Sequence, residues 1–402
     1  MIAPEQLHAR ILEELDMTRE IEDEELTRLI YQVLSEASKQ EYLSLAEKSA
    51  LGRELFNAFR KLDLLQEFLE DETITEVMIN GTQNIFYEKD GRILQSDRRF
   101  ISRDKLEDVV QQIAAGSNRL VNEASPIVDA RLPNGSRVNI VMNPVALNGP
   151  IVTIRRFPDK PITMERLLQI RSVSSEAAAF LKKLVQAKYN IFISGGTGSG
   201  KTTFLNVLSQ YIPPEERVIT IEDSAELQLQ GLPNLVQLET RNSNVEGCNE
   251  ITIRDLIKSS LRMRPDRIVV GEVRGAEAID MLQCMNTGHD GSMSTGHANT
   301  GRDMLARLEN MVLMGLDLPL AAIRHQIASG VDIIVHLGRL RDKSRKVLEI
   351  TELAGCENQE ILLNPLYVFE ETGEDGEGNV IGELRKKGDL IYGHKLKTAG
   401  LS

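Results

Sequence analysis

The stretch "ISGGTGSGKTTF", Ile193–Phe204, packs four glycines, a lysine and three threonines into twelve positions. It has too little bulk to fill a core and too much glycine to hold a strand. An apolar run, "YNIFIS" (Tyr189–Ser194), leads into it, and a helical pattern runs from Thr202 to just before Pro213-Pro214. Gly195, Gly200, Lys201 and Thr202 fit G-x-x-x-x-G-K-[ST] between a strand and a helix. Glycines let backbone N–H groups turn inward around phosphate oxygens, and the helix start aims its positive dipole end at the same anion. The candidate cradle is therefore Gly195, Gly196, Thr197, Gly198, Ser199, Gly200, Lys201, Thr202 and Thr203. Lys201 reaches the β- and γ-phosphates of a nucleoside triphosphate such as ATP, and the Thr202 hydroxyl is a ligand for Mg²⁺.

Outward from the loop, strands alternate with helices. "RVITIED" (Arg217–Asp223) reads as a strand and "IRDLIKSSLRMR" (Ile253–Arg264) as a helix stopped by Pro265. "DRIVVGE" (Asp266–Glu272) reads as another strand. Such alternation predicts an α/β domain with a mostly parallel sheet covered on both faces. Ligands of such sheets gather at the carboxyl ends of the strands, where Glu222, Asp223 and Glu272 fall. Many P-loop enzymes end this second strand in Asp-Glu, whereas here it ends in Gly271-Glu272. Glu272 alone then supplies the carboxylate near Mg²⁺ or the attacking water. "TGHDGSMSTGHAN" adds His289 and His297, flanked by glycines, as candidate γ-phosphate sensors. Their spacing with Cys284 fits no common zinc pattern.

The period changes upstream. "ITEVMINGTQNIFYEKDGRI" (Ile74–Ile93) holds short strand runs broken at Asn80-Gly81 and Lys89-Asp90-Gly91. A helix follows over Arg103–Ala115, then "DARLPNGSRVNIV" and "PIVTIRRF" give strands about a Pro-Asn-Gly turn. This is a compact α+β domain ending near Phe157-Pro158, with "PDKPIT" as a linker. Before it, Leu26, Leu29, Ile30, Val33 and Leu34 form one helical stripe, and Leu51, Leu55, Phe59 and Leu62 another. These predict a small helical bundle packing on itself. The layout is thus a helical segment at 1–68, an α+β domain at 69–157, a linker at 158–162 and the α/β domain at 163–402. From Gly355 onward the chain reads as a charged hairpin or extension.

The whole chain carries 47 Lys and Arg against 60 Asp and Glu over 402 residues, a net charge of −13. That balance argues against a general nucleic-acid coat. One basic cluster, "GRLRDKSRK" (Gly338–Lys346), falls in an expected hairpin turn and reads as solvated. The three cysteines, Cys248, Cys284 and Cys356, imply no disulfide framework. The first residues have no signal-peptide apolar block, and no apolar stretch approaches ~18 residues.

Four motifs in this order resemble the type II/IV secretion-system ATPases, closest to the CpaF/TadA branch that powers Flp or tight-adherence pilus assembly. The likeness covers roughly Leu69–Leu353. It rests on "GGTGSGKTT" as Walker A, "TIEDSAEL" as aspartate box, "RPDRIVVGEVRG" as Walker B and "GHDGSMSTGHAN" as histidine box. The resemblance implies a RecA-like P-loop NTPase domain in a cytoplasmic homo-hexamer. An N-terminal domain would clamp nucleotide against it, and the ring would work on a polytopic inner-membrane platform protein, with no nucleic acid required. It implies Glu222 as general base and Glu272 as the residue governing Mg²⁺, without ranking the two. It also implies His297, and less directly His289, as γ-phosphate sensor, with Arg131, Arg137, Arg155 and Arg156 as phosphate-contacting arginines. The tetracysteine zinc element of some type II secretion relatives is missing from the sequence. Conjugation or DNA-uptake ATPases of the same superfamily, and a nucleotide-binding scaffold without turnover, are the alternatives.

Overall fold

The computed structural model describes residues 4–15, 19, 21–39, 42–89, 91–157, 161–241 and 250–401. Cys248 and most of the expected linker, residues 158–160, lie outside them. The chain divides into two compact units, residues 1–159 and 160–402.

The first unit begins with helices α1 (Pro4–Glu14), α2 (Asp23–Ala37) and α3 (Leu45–Arg60). Leu7, Ile11, Leu26, Ile30, Val33 and Leu55 meet in a core of their own, as the helical stripes require. Ser44 and Glu47 close a reciprocal capping box at the start of α3. Next come α4 (Leu65–Glu70), β1 (Ile74–Asn80), β2 (Asn84–Lys89), β3 (Arg92–Gln95), α5 (Arg103–Gly116), β4 (Ile127–Arg131), β5 (Arg137–Val141) and β6 (Ile151–Arg155). The strands form an antiparallel sheet in the order β3-β2-β1-β6-β5-β4. Val138, Ile140, Val152 and Ile154 alternate toward α4 and α5, so the intervening residues stand on the other face.

The second unit holds α6 (Met164–Gln169), α7 (Ser175–Gln186), β7 (Ile191–Gly195), α8 (Lys201–Ser209), β8 (Val218–Glu222), β9 (Leu235–Glu239), α9 (Ile253–Ser260), β10 (Arg267–Val270), α10 (Ala278–Asn286) and β11 (Met293–His297). It continues through α11 (Gly301–Gly315), α12 (Leu320–Gly330), β12 (Ile333–Arg339), β13 (Arg345–Glu357), β14 (Glu360–Glu374), β15 (Val380–Lys386) and α13 (His394–Thr398). Among the described residues the strands make one mixed sheet in the order β15-β14-β13-β12-β7-β11-β10-β8-β9. From β12 to β9 every pairing is parallel, and β12 through β15 pair antiparallel. The parallel strands β7, β8 and β10 are buried at every residue, as strands covered on both faces must be. One face packs on α7 and α8, the other on α9–α12.

The charged tail from Gly355, expected as a hairpin or extension, is the hairpin: it completes the long β13–β14–β15 meander. Two expectations change here. The basic cluster at 338–346 is largely bonded within the fold. Arg341 pairs with Glu371 and Glu374, and Lys346 Nζ donates to the carbonyls of Ile170 and Arg171 at 3.2 and 2.9 Å. Helix α9 ends at Ser260, short of Pro265, where Ser260 Oγ bonds back to the Ile257 carbonyl and Arg264 takes a positive φ of 56°.

Candidate functional site

Parallel strands with helical crossovers put all their carboxyl ends on one edge, and the register of β7, β11, β10 and β8 gathers the motifs there. Gly195 lies opposite His297, and Ile221 opposite Val270. The loop after β7 runs straight into α8, whose cap residue Gly200 has φ +94°, a left-handed conformation that suits glycine. Lys201 follows, 7% exposed despite its charge. Its Nζ donates to the carbonyls of Gly195 (3.2 Å) and Gly196 (3.0 Å) and lies 3.2 Å from His297 Nδ1. Ser199 Oγ is buried inside the loop with no hydrogen-bond partner among the described residues.

His297 continues the chain of contacts, its Nε2 lying 2.9 Å from Glu272 Oε1. Glu272 Oε2 accepts from Arg274 Nη2 at 2.7 Å. Burial holds the His297 imidazole below its ordinary pKa, and Lys201, Arg274 and Arg307 reinforce this against the opposing pull of Glu272. A neutral ring can accept a hydrogen bond from the Lys201 ammonium at Nδ1. Lys201, His297, Glu272 and Arg274 therefore form one relay.

Glu222 ends β8 beside this relay, 4% exposed. Its Oε2 accepts from the backbone N–H groups of Glu226 (2.7 Å) and Leu227 (2.9 Å). Burial nevertheless pushes the carboxyl up to about 7, with Glu226 and Glu239 adding to the effect. The glycine at position 271 now has a cause. A Cβ there would stand 2.9 Å from Glu222 Cγ, so the side chain of Glu222 fills the space an aspartate would need. Two acids from neighbouring strands, Glu222 and Glu272, share the edge without competing for volume.

The neighbouring candidates fall elsewhere. Asp223 is exposed and turned toward Thr240, whose Oγ1 bonds both its carbonyl and its Oδ1 at 3.0 Å. His289 precedes the amino end of β11, so roughly 17 Å of strand separates it from the glycine loop's edge. Its carbonyl accepts from Ser292 Oγ. Only His297 of the histidine pair sits by the loop.

The arginines belong to the first unit. Arg131 pairs across the sheet with Arg137, Arg137 with Arg155, and Arg155 with Glu76. Three cations thus stand in one row on the face away from α4 and α5. Arg156 does not join them: its guanidinium donates to the backbone carbonyls of Asp71 and Ile74. Sequence reasoning also missed His336 and Arg345. His336 lies hidden in an apolar run. Arg345 Nε donates to the Gly198 carbonyl at 2.9 Å from a cluster that reads as solvated.

A buried strand, a glycine loop and a capped helix, with acids at the ends of adjacent parallel strands, define a P-loop α/β fold. Residues 60–369 match the type II/IV secretion system protein family, and the chain belongs to that family. Its relatives include the conjugal transfer protein TrbB of Rhizobium radiobacter, 32% identical over 74% of this chain and 88% of that protein. The type IV secretion system protein VirB11 of Bartonella henselae is 31% identical over 72% of this chain and 91% of its own length. Among solved structures, the pilus retraction motor PilT with bound ADP shares the fold at a TM-score of 0.52 and 18% identity, covering 84% of this chain and 86% of its own. The ATPase DotB of Legionella pneumophila does so at 0.51 and 20% identity, over 72% and 79%.

Proposed function

We propose that this chain is an ATP-hydrolysing motor of a type II/IV secretion or Flp-type pilus machine, of the CpaF/TadA branch, with a RecA-like domain as its engine. The observation that carries the reading is the convergence of Lys201, His297, Glu272 and buried Glu222 on the edge that bears the glycine loop. Gly195–Thr203 would hold the phosphates through backbone N–H groups, and the Lys201 ammonium would transfer from loop carbonyls to phosphate oxygens. Glu222, half-ionised near neutrality, would accept a proton from the attacking water. Neutral His297 would read the γ-phosphate through its contact with Lys201. Thr202 and Glu272 offer oxygen ligands, the donor type Mg²⁺ takes when it shares its shell with substrate phosphates. The metal would neutralise charge on those phosphates.

The row Arg131–Arg137–Arg155 supports a clamping role for the first unit. Guanidinium forks are the groups best suited to bind phosphate oxygens bidentately. The ring would be a cytoplasmic homo-hexamer recruited to the membrane by a polytopic platform protein. A second reading, a conjugation ATPase, is favoured by the likeness to the conjugal transfer protein TrbB, and DNA-stimulated turnover would select it.

Phosphate release tests the core of the proposal. Lys201→Ala should lose nucleotide binding and hydrolysis together, and Glu222→Gln should bind nucleotide yet lose ~10²-fold or more in turnover. Wild-type-like release from Glu222→Gln removes the base assignment and passes it to Glu272. No release from the intact ring would leave only a nucleotide-binding scaffold. Arg137→Ala should fold normally and cut turnover about 10-fold.

A further inference from the structure

One polar ring interrupts the apolar strand β12. His336 lies between Val335 and Leu337, 6% exposed, in parallel register with Ser194, the residue before Gly195. Its Nδ1 is 2.8 Å from Ser194 Oγ. That bond offsets part of the cost of burying an imidazole. The carbonyl of the next residue, Gly195, accepts from the Ala298 N–H at 3.3 Å. His336 thereby holds the root of the glycine loop, to which the segment that carries His297 is bonded.

The hairpin begun by β12 returns to the loop at a second point. Its turn is closed by Leu340 N–H to the Ser344 carbonyl at 2.8 Å and the reverse Lys343-to-Leu340 bond at 2.9 Å. Arg345, the first residue of β13, then donates Nε–H to the Gly198 carbonyl at 2.9 Å. Its Cδ lies 3.7 Å from where a Cβ on Gly200 would stand. The loop is held at its root through Ser194 and at its crest through Gly198, both times by this hairpin.

We propose that the β12–β13 hairpin is the positioning frame of the nucleotide site, with Arg345 setting the shape of the phosphate loop and His336 setting the place of the His297 segment. The proposal rests on the ATPase reading above. The two positioning residues act at different stages. Arg345 shapes backbone donors that hold phosphate equally in the ground and transition states, so its loss falls on KM. His336 orients the relay of Lys201, His297 and Glu272, so its loss falls on kcat.

The test uses the full chain with ATP and Mg²⁺, following phosphate release against ATP concentration, binding of a fluorescent ATP analogue and thermal melting. Arg345→Ala, at an exposed position, should raise KM about 5- to 10-fold with kcat within twofold. His336→Asn places an amide near the Nδ1 position and should keep the Ser194 bond. His336→Gln reaches toward the Nε2 position instead and should lose about 10-fold or more in kcat. A lowered melting temperature with kcat and KM unchanged in all three variants would mean a merely structural role and overturn the proposal. So would equal, wild-type kcat in the two His336 variants. If the wild type releases no phosphate, the ATPase reading fails instead. The analogue affinity of Arg345→Ala then decides this proposal: several-fold weaker binding supports it and unchanged binding refutes it.

Discussion

At the amino edge of the nine-stranded sheet, the fully buried Arg267 guanidinium holds Glu216 through hydrogen bonds of 2.5 and 3.1 Å, with the Gly291 carbonyl as a further acceptor. Beside it, buried Asn190 fills its bonding capacity. Its Oδ1 accepts from Gly291 and Ser292, and its Nδ2 donates to Met285 and Gly330. At the carboxyl edge, Lys201 rests on loop carbonyls, His297 is held neutral and Glu222 is pushed up to about 7. Both edges bury charge. At the amino edge Arg267, Glu216 and Asn190 are bonded to protein groups, whereas the carboxyl edge leaves the Glu222 carboxyl balanced near neutrality. Saturated polar networks fix a fold, while poised ones await a ligand.

The largest effect that could break this comparison is at the amino edge. Arg267→Met leaves Glu216 buried without its bidentate partner and should cost about 3–5 kcal/mol of stability, read by denaturant unfolding. The folded fraction should keep wild-type KM and kcat, and a selective fall in kcat would erase the distinction between the edges. Next comes Gly271→Asp, which restores the acid common in other P-loop enzymes. Because the new Cβ meets Glu222 Cγ at 2.9 Å, the variant should bind nucleotide but lose ~10² in turnover. Undiminished phosphate release would show that Glu222 does not need that space.

A smaller effect sharpens the role of Glu222. With its carboxyl near 7, kcat/KM should fall about tenfold per pH unit below that value and level off above it. The sign for stability is the reverse. The unfolded carboxyl releases its proton near 4.5 and the folded one near 7, so between them the native state binds more protons and loses stability as pH rises. The melting temperature of the wild type should therefore drop across that window relative to Glu222→Gln. Smallest of all, Asp223→Asn, one residue along but exposed and held by Thr240, should change turnover less than about twofold.

The glycine loop was legible because its chemistry is local: nine adjacent residues, Gly195–Thr203, carry cradle, charge and helix start. Glu222 and Glu272 were legible as polar residues ending apolar runs, a pattern that parallel strands impose, and His297 as a histidine in a glycine-flanked run. What escaped depends on register between distant segments. Nothing near His336 announces that Ser194 will lie opposite it, and nothing in "RLRDKSRK" separates Arg345, on the glycine loop, from Arg341, in a surface ion-pair network. The arginines show the same limit. "IRR" gives Arg155 and Arg156 equal standing, yet strand alternation puts one in a cationic row and turns the other to backbone carbonyls. The volume relation between Gly271 and Glu222 joins residues 49 positions apart, visible only once β8 and β10 are paired.

Strand β7 has a consequence for how the protein is made. All five of its residues are buried, and its two sheet neighbours, β11 and β12, begin about 100 and 140 residues later in the chain. At roughly 5–20 residues per second of translation, a sticky apolar strand waits roughly 5–30 s for partners not yet synthesised. The β13–β15 meander needs no such wait, because hairpins of neighbouring strands close in about 1–10 μs. Nascent chains halted between Gly195 and Ile333 are therefore the natural clients of ribosome-associated chaperones, and in their absence the natural seeds of aggregation.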